Sequence, residues 1–429
     1  MDQIPLSQSD ETRAVPSDER RSPFSVFHST TLESLRIRDF RWLWLGSFAS
    51  FMAINMQQIT RGWLVLRLAD DSPFALSLVM MVFAAPMTFL SPIGGAVADR
   101  ISKKHVVMFS QSGNAVMTLL VATLDLTGLI QFWHLLIIGV INGSLMAFNL
   151  PSRQAFISDI VPANRLMNAI SLQSSGMNLT RIVGPALAGV LILFLDTAGV
   201  FYINAGCYVF AVIFVTMIGT EGRPKSQHMK SVTGDIREGL SYAARNPTIL
   251  GLIITLFVPA LFGFPFIALL PAWAREALNV QSDGLGMLMM MMGIGSLIGS
   301  LILASMSGFQ KRGLLLLLIG IAWGIVLTIF SQLKSYGMAI PCLILLGLLS
   351  AGFMSLNMTL IQIYTASEMR GRMMSLSMMT FGAMPLSVVP FGAIAENIGT
   401  PDALTLGGLI LSVFTVGFTL VYPKFRKIA

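Results

Sequence analysis

The stretch SPIGGAVADRISKKHVV, residues 91–107, sets Asp99, Arg100, Lys103 and Lys104 within six positions. Residues 73–98 carry no charge, and a second apolar run follows the loop. Charges confined to a short loop between two long apolar runs mark a chain that crosses a bilayer and turns back. Composition agrees: 54% of the 429 residues are hydrophobic and 11% charged. Soluble domains carry about 25% charged residues, so this chain has too few to coat a water-exposed surface.

Outward from that loop, runs long enough to cross about 30 Å of hydrocarbon recur near 42–66, 74–98, 105–126, 132–150, 166–195, 198–219, 248–270, 284–306, 313–331, 337–360, 374–395 and 403–422. The expected fold is all-α and integral to the membrane, with twelve transmembrane helices. Twenty Lys and Arg lie in the loops and ends of one side, against Arg67, Arg275 and Lys334 on the other. By the positive-inside bias the crowded side is cytoplasmic, and both termini belong there. A multi-pass protein of the plasma or inner membrane is expected.

The net charge of +7 sits in these short loops, so it reads as an orientation signal and no nucleic-acid partner is expected. Cys207 and Cys342 each lie inside an apolar run; without clustered histidines they make neither a disulfide framework nor a metal site. No Ser-His-Asp, HExxH or GxxxxGK[ST] arrangement occurs, so no enzyme, cofactor or ATP-driven pump is expected.

Residues 1–30 read as a polar cytosolic tail with no signal-peptide core. Two six-helix bundles follow, 31–219 and 248–422, joined by a cytosolic linker at 220–247 and ended by a tail at 423–429. Within the linker, Ile236, Leu240 and Tyr242 among charges fit a helix lying on the membrane surface and a solvated connector equally. The halves resemble each other: NLPSRQAFISDIVPANRLMNAIS from Asn149 and NMTLIQIYTASEMRGRMMSLS from Asn357 share an Asn, a charged loop and a Met- and Ser-bearing helix start. A parallel six-helix repeat with substrate between the halves is a known transporter plan.

Three segments carry a family resemblance. GAVADRISKK, residues 95–104, is similar to the loop between spans 2 and 3 of the major facilitator superfamily. NLTRIVGPALAG, residues 178–189, resembles the span 5 motif of its antiporters. SLRIRDFRWLWLG, with PSRQAFISDIVP and EMRGRMMSL, looks most like the branch of enterobactin exporters and macrolide-type efflux proteins. The resemblance implies a latch on the cytosolic face. Gly95 lets span 2 approach a neighbour, and Asp99 meets the helix N-terminus that opens span 11, where anions are favoured. Arg100, Lys103 and Lys104 join from the same loop, with Glu368, Arg370 and Arg372 as the opposing set. For the lysines, orientation alone is an equal reading. Gly184, Pro185 and Gly189 form the span 5 conformational motif by resemblance; by residue type they also fit close helix packing.

A charge near the bilayer centre costs at least about 2.5–3.5 kcal/mol, so each needs a reason. Arg181 lies near the middle of span 5 and Arg61 in the outer third of span 1. At 100° per residue, Asn55, Gln57, Gln58 and Arg61 fall within about half of one helix circumference. Asn142, Asn149, Asn178 and Asn357 extend this stripe, and together with Arg181 they form the expected substrate cavity; for any single Asn an interhelical hydrogen bond is the stronger reading, and for Arg61 snorkelling to the outer interface is the other one. No Asp or Glu sits mid-span, where a coupling proton would be carried, so proton drive rests on the resemblance. The Met run at 287–292 and Phe262, Phe264 and Phe266 read mainly as packing, with a greasy pocket wall as the other reading. The expected function is secondary-active export of amphipathic small molecules, drug-, macrolide- or siderophore-like, by a monomer in contact with lipid. Import of a small anionic metabolite and a non-transporting receptor or scaffold remain as alternatives.

Overall fold

The computed structural model describes residues 33–222, 232–306, 310–366, 369–382 and 384–428. The expected N-terminal tail, the linker residues 223–231 and Glu368 lie outside these, as does the side chain of Asp99. Helices follow one another almost without interruption: α1 Arg38–Leu68, α2 Pro73–Arg100, α3 Lys103–Leu126 and α4 Phe132–Ile160. The run Leu166–Thr216 breaks at Asp196 (φ 56°, ψ −180°) into α5, 166–195, and α6, 197–216. After α7 Val232–Arg245, α8 Pro247–Val258 leads through a π turn at Pro259–Gly263 into α9 Pro265–Leu278. Then come α10 Ser282–Ser305, α11 Arg312–Ser331, α12 Tyr336–Tyr364, α13 Arg370–Gly382, α14 Met384–Ile398 and α15 Thr400–Val421.

Among the described residues nine helical stretches are long and apolar enough to cross a membrane, one being the 54-residue run that contains the Asp196 break. α1 is not among the nine, because Asn55, Gln57, Gln58 and Arg61 dilute its apolar character. α13 and α14 are each too short alone.

Local chemistry sets several boundaries. Ser72 caps α2, its Oγ accepting from the Ala75 N–H at 3.1 Å, with Pro73 at the first helical position. Asn246 caps α8 likewise through Thr248 N–H at 3.2 Å, ahead of Pro247. Both pairs follow the preference for a side-chain acceptor and then Pro where the N–H has no partner anyway. Pro259 and Pro265 bracket the π turn, each removing a backbone donor from the ladder.

Glycine-mediated contact organises the packing, and the same pairing recurs on either side of α7. α2 meets α4 where Gly94 abuts the Ala147 carbonyl and Gly143 abuts that of Phe83. α10 meets α12 where Gly295, Gly299 and Gly347 abut the carbonyls of Ile344, Leu348 and Met292. Absent side chains let these backbones approach, which is how helices associate in lipid. Gly95, expected to make the close approach in α2, has nothing within 4 Å of where a Cβ would be; its neighbour Gly94 makes that contact.

α4 also corrects the sequence reading. It runs through Pro151 to Ile160 instead of ending near 150. Arg153, counted as a loop cation, is therefore inside a helix and only 4% exposed. Its guanidinium lies 4.9 Å from the Phe51 ring centroid, and among the described residues its Nε and Nη1 have no hydrogen-bond partner.

At the end of the bundle carrying the basic loops, the 101–104 turn is tied to the chain leaving α6. Ser102 Oγ donates to the Glu221 carbonyl at 2.5 Å and Lys103 N–H to that of Gly222 at 3.3 Å. Lys103 Nζ pairs with Asp159 at 2.7 Å, and Lys104 Nζ donates to the Ile218 carbonyl at 2.6 Å. α7 lies on the head of α13: Glu238 pairs with Arg372 at 2.6 Å, Gly239 abuts Met373, Tyr242 Oη accepts from the Ala366 N–H at 3.3 Å, and Ala243 is buried.

Candidate substrate cavity

A cavity of about 540 Å³ lies between the helices that precede α7 and those that follow it. Its polar wall comes from Asn55 and Gln58 of α1 and Asn178 and Arg181 of α5. Facing these, α10 and α12 contribute Ser296, Ser300, Ser350 and Ser355, while Phe264, Ile267, Met289, Met292 and Met354 supply an apolar lining. No Asp or Glu is among the lining residues. Asn55 is held in place, its Nδ2 donating to the Phe51 carbonyl at 2.8 Å and to Thr180 Oγ1 at 3.3 Å. Ser296 and Ser300 each donate to the carbonyl one turn back, at 3.0 and 2.8 Å, which leaves their oxygen lone pairs as acceptors. Arg181 is exposed to the cavity and has no hydrogen-bond or ion-pair partner among the described residues. The chamber thus offers a fixed cation, amide groups and soft apolar surface, a set suited to an amphipathic molecule bearing acceptor groups.

Towards the end away from the basic loops the two helix groups meet. A Cβ on Gly189 of α5 would lie 2.5 Å from the Ser282 carbonyl oxygen, and one on Gly286 of α10 would lie 2.6 Å from that of Pro185. Ser282 Oγ donates to the Gly189 carbonyl at 3.1 Å. Gly392 of α14 abuts Ser77 of α2, Ser72 Oγ donates to Glu396 at 2.8 Å, and Arg275 pairs with Asp71 at 3.0 Å while lying over Trp63. Just below this seal is a smaller chamber of about 40 Å³ lined by Gln58, Arg61, Gly62, Ile267, Pro271 and Met289, among others. The Arg61 guanidinium stacks 4.9 Å from the Phe83 ring centroid.

Of the nine residues expected to line the substrate path, Asn55, Gln58, Asn178 and Arg181 meet in the large cavity, and Arg61 lines the smaller chamber with Gln58. The other four face the interior of their own helix groups. Gln57 is buried and donates to Thr118 Oγ1 of α3 at 3.3 Å. Asn142 and Asn149 are buried in α4, and Asn357 donates to the Leu252 carbonyl and Thr255 Oγ1 of α8, both at 3.1 Å. Among the latch residues, Arg100 is exposed at the end of α2 and Arg370 donates from Nε to the Gln362 carbonyl at 3.1 Å, closing the end of α12. Arg372, Lys103 and Lys104 hold the partners given above. Gly184 abuts Asn55 within the first group, whereas Pro185 and Gly189 reach across to α10. The four cavity serines went unread in the sequence; their signal is small hydroxyl residues at i, i+4 and i, i+5 on otherwise apolar spans.

Two helix groups closed at one end over a polar cavity suit a membrane transporter, and the comparisons give the family. Residues 29–428 match the family model MFS_3, described as a transmembrane secretion effector. The chain belongs to that family: it is a major facilitator superfamily transporter of the efflux branch, a multi-pass membrane protein and not an enzyme. It is 25% identical over 397 residues to the Staphyloferrin A transporter of Staphylococcus aureus, covering 90% of this chain and 97% of that one. It is 24% identical to Macrolide efflux protein A of Streptococcus pyogenes, covering 91% and 96%. Its fold is similar to a crystal structure of the nucleoside transporter NupG, with TM-score 0.69, 17% identity, and coverage of 91% and 99%.

Proposed function

We propose that this transporter exports amphipathic small molecules, and that it favours those with anionic or acceptor-rich groups over multi-cationic ones. The observation that carries the reading is the cavity chemistry: Arg181, without a protein counter-ion, stands among Asn55, Gln58, Asn178 and four serines, opposite Met and Phe surface and with no lining carboxylate. A cation in a site shielded from water attracts carboxylates or polarised oxygens far more strongly than it would in bulk, and an absent acid gives a lipophilic cation nothing to pair with. Siderophores and macrolides are both rich in acceptor oxygens, in keeping with what the two relatives are named for.

In this reading the chain spans the membrane twelve times as two six-helix bundles, with α1, the two sides of the Asp196 break, and α13–α14 making up the spans beyond the clear apolar runs. Both ends lie in the cytoplasm, as the Lys and Arg asymmetry implies. The cavity then faces the cytoplasm in this conformation, loads there, and is exposed outward when the halves tilt. Proton drive belongs to the proposal through the antiporter resemblance. The acids within reach are at span ends, such as Asp125, whose side chain is 2% exposed and held by Arg67 and by Thr197 Oγ1 at 2.5 Å.

Everted membrane vesicles offered a citrate-based siderophore, a macrolide and a lipophilic dication provide the test. The first two should accumulate, and a protonophore should discharge them. Accumulation indifferent to the protonophore would remove the proton from the account. Preference for the dication, or indifference to all three compounds, would overturn the substrate reading.

A further inference from the structure

Two arginines stand at different depths on the path between the helix groups, with a partition between them. Gly184 of α5 abuts Asn55 of α1, and both helices run away from the basic end. Helix rise therefore sets Arg181 about 4.5 Å on the basic side of that contact and Arg61 about 9 Å beyond it. Gln58, Ile267 and Met289 line both the large cavity and the small chamber, so they form the wall that separates the two. Above the chamber, Gly62 packs on Pro271, whose Cγ lies 3.2 Å from where a glycine Cβ would be, and the Arg275–Asp71 pair closes the end.

Among the described residues Arg61 has no carboxylate partner and no hydrogen bond; beside it are the face of Phe83 and the buried Tyr208 side chain. A stacked guanidinium keeps its edge N–H groups for a planar acceptor such as a carboxylate. A cation at this depth with no acceptor is costly to keep, and stacking alone does not satisfy five N–H donors. At about 40 Å³ the chamber has room for a water or two but not for a drug-sized molecule in this conformation. The groups that confine it belong to both halves, so tilting them apart at this end enlarges the chamber and opens it to the far side.

We propose that Arg61 and its chamber form an exit-side station, which takes the anionic or acceptor group of the substrate after that group leaves Arg181. The inference rests on the export reading above. Arg181 then sets affinity from the loading side, while Arg61 sets the rate of passage and release. Substrates carrying two acceptor groups separated by an apolar stretch are favoured, because one group reaches Arg61 as the other leaves Arg181.

The test uses the full-length protein in nanodiscs and in everted vesicles, with a citrate-based siderophore as probe. Arg61→Gln should leave the binding Kd within about 2-fold of wild type but lower export kcat at least 10-fold. Arg61→Lys should restore part of that rate, and both variants should keep the wild-type melting temperature. Arg181→Gln should raise Kd at least 10-fold. Loss of affinity in Arg61→Gln equal to that in Arg181→Gln would reduce the two stations to one site. Unchanged kcat in Arg61→Gln would remove the exit station and leave the export reading standing. Indifference of Kd to Arg181→Gln would instead overturn the cavity reading itself.

Discussion

Replacing Gly286 by alanine puts a methyl group where α5 and α10 touch. Its carbon would lie 2.6 Å from the Pro185 carbonyl oxygen and 3.1 Å from the Gly189 Cα. Both neighbours are backbone, so no flexible side chain can yield, and relief requires the two helices to move apart. Overpacking of this kind costs about 1–3 kcal/mol. The penalty falls only on the conformation sealed at this end, since the methyl group is unopposed once α10 and α5 separate. The equilibrium should therefore shift by roughly 5- to 150-fold towards the conformation open at that end. A cysteine at Ile267, which lines both chambers, reports the shift in a background without Cys207 and Cys342. A membrane-impermeant maleimide applied to the face away from the basic loops should label it faster in the Gly286→Ala variant. Applied to everted vesicles it should label more slowly. Unchanged rates on both faces, in protein that folds normally, would refute the claim that this contact is a seal that opens.

Arg181→Ala should weaken binding of acceptor-rich substrates by roughly 10- to 150-fold, the worth of a charge-assisted hydrogen bond of about 1.5–3 kcal/mol, and a transport profile across the compound panel measures it. Arg153→Met should keep or raise the melting temperature, because an apolar side chain replaces a buried guanidinium with unpaired Nε and Nη1; a fall of several degrees would show that the guanidinium is partnered. Asp159→Asn should destabilise the protein by about 1.5–3 kcal/mol, since it removes the carboxylate that Lys103 Nζ meets at 2.7 Å in a buried setting. The double variant with Lys103→Met should recover much of that loss in thermal unfolding.

The sequence exposed the helices far better than their neighbours. Apolar length located every run near an observed helix, because the bilayer leaves little choice of structure. What it could not resolve was which edge of a polar arc faces which partner. Gln57 and Gln58 are adjacent in the same arc of α1, yet one bonds to Thr118 of α3 and the other lines the cavity. That division depends on how α3 and α10 are seated, a tertiary fact absent from the 100° period. Gly94 and Gly95 differ in the same way. Arg153 was misread for another reason: the apolar run was ended near 150, whereas the helix continues through Pro151 to Ile160, as a membrane helix packed among neighbours can. Asn357 shows that a buried amide can tie a helix to its own bundle instead of facing a ligand.

The ties at the basic end have a mechanical consequence. The segment leaving α6 is fastened to the 101–104 turn at Gly222, and α7 is fastened to α13 through Glu238. Only the residues between Gly222 and Val232 join these two anchorages, and so short a length of polypeptide reaches at most about 35 Å when fully drawn out. While both fastenings hold, that limit caps how widely the two helix groups can part at the basic end, however strongly a bulky cargo wedges them.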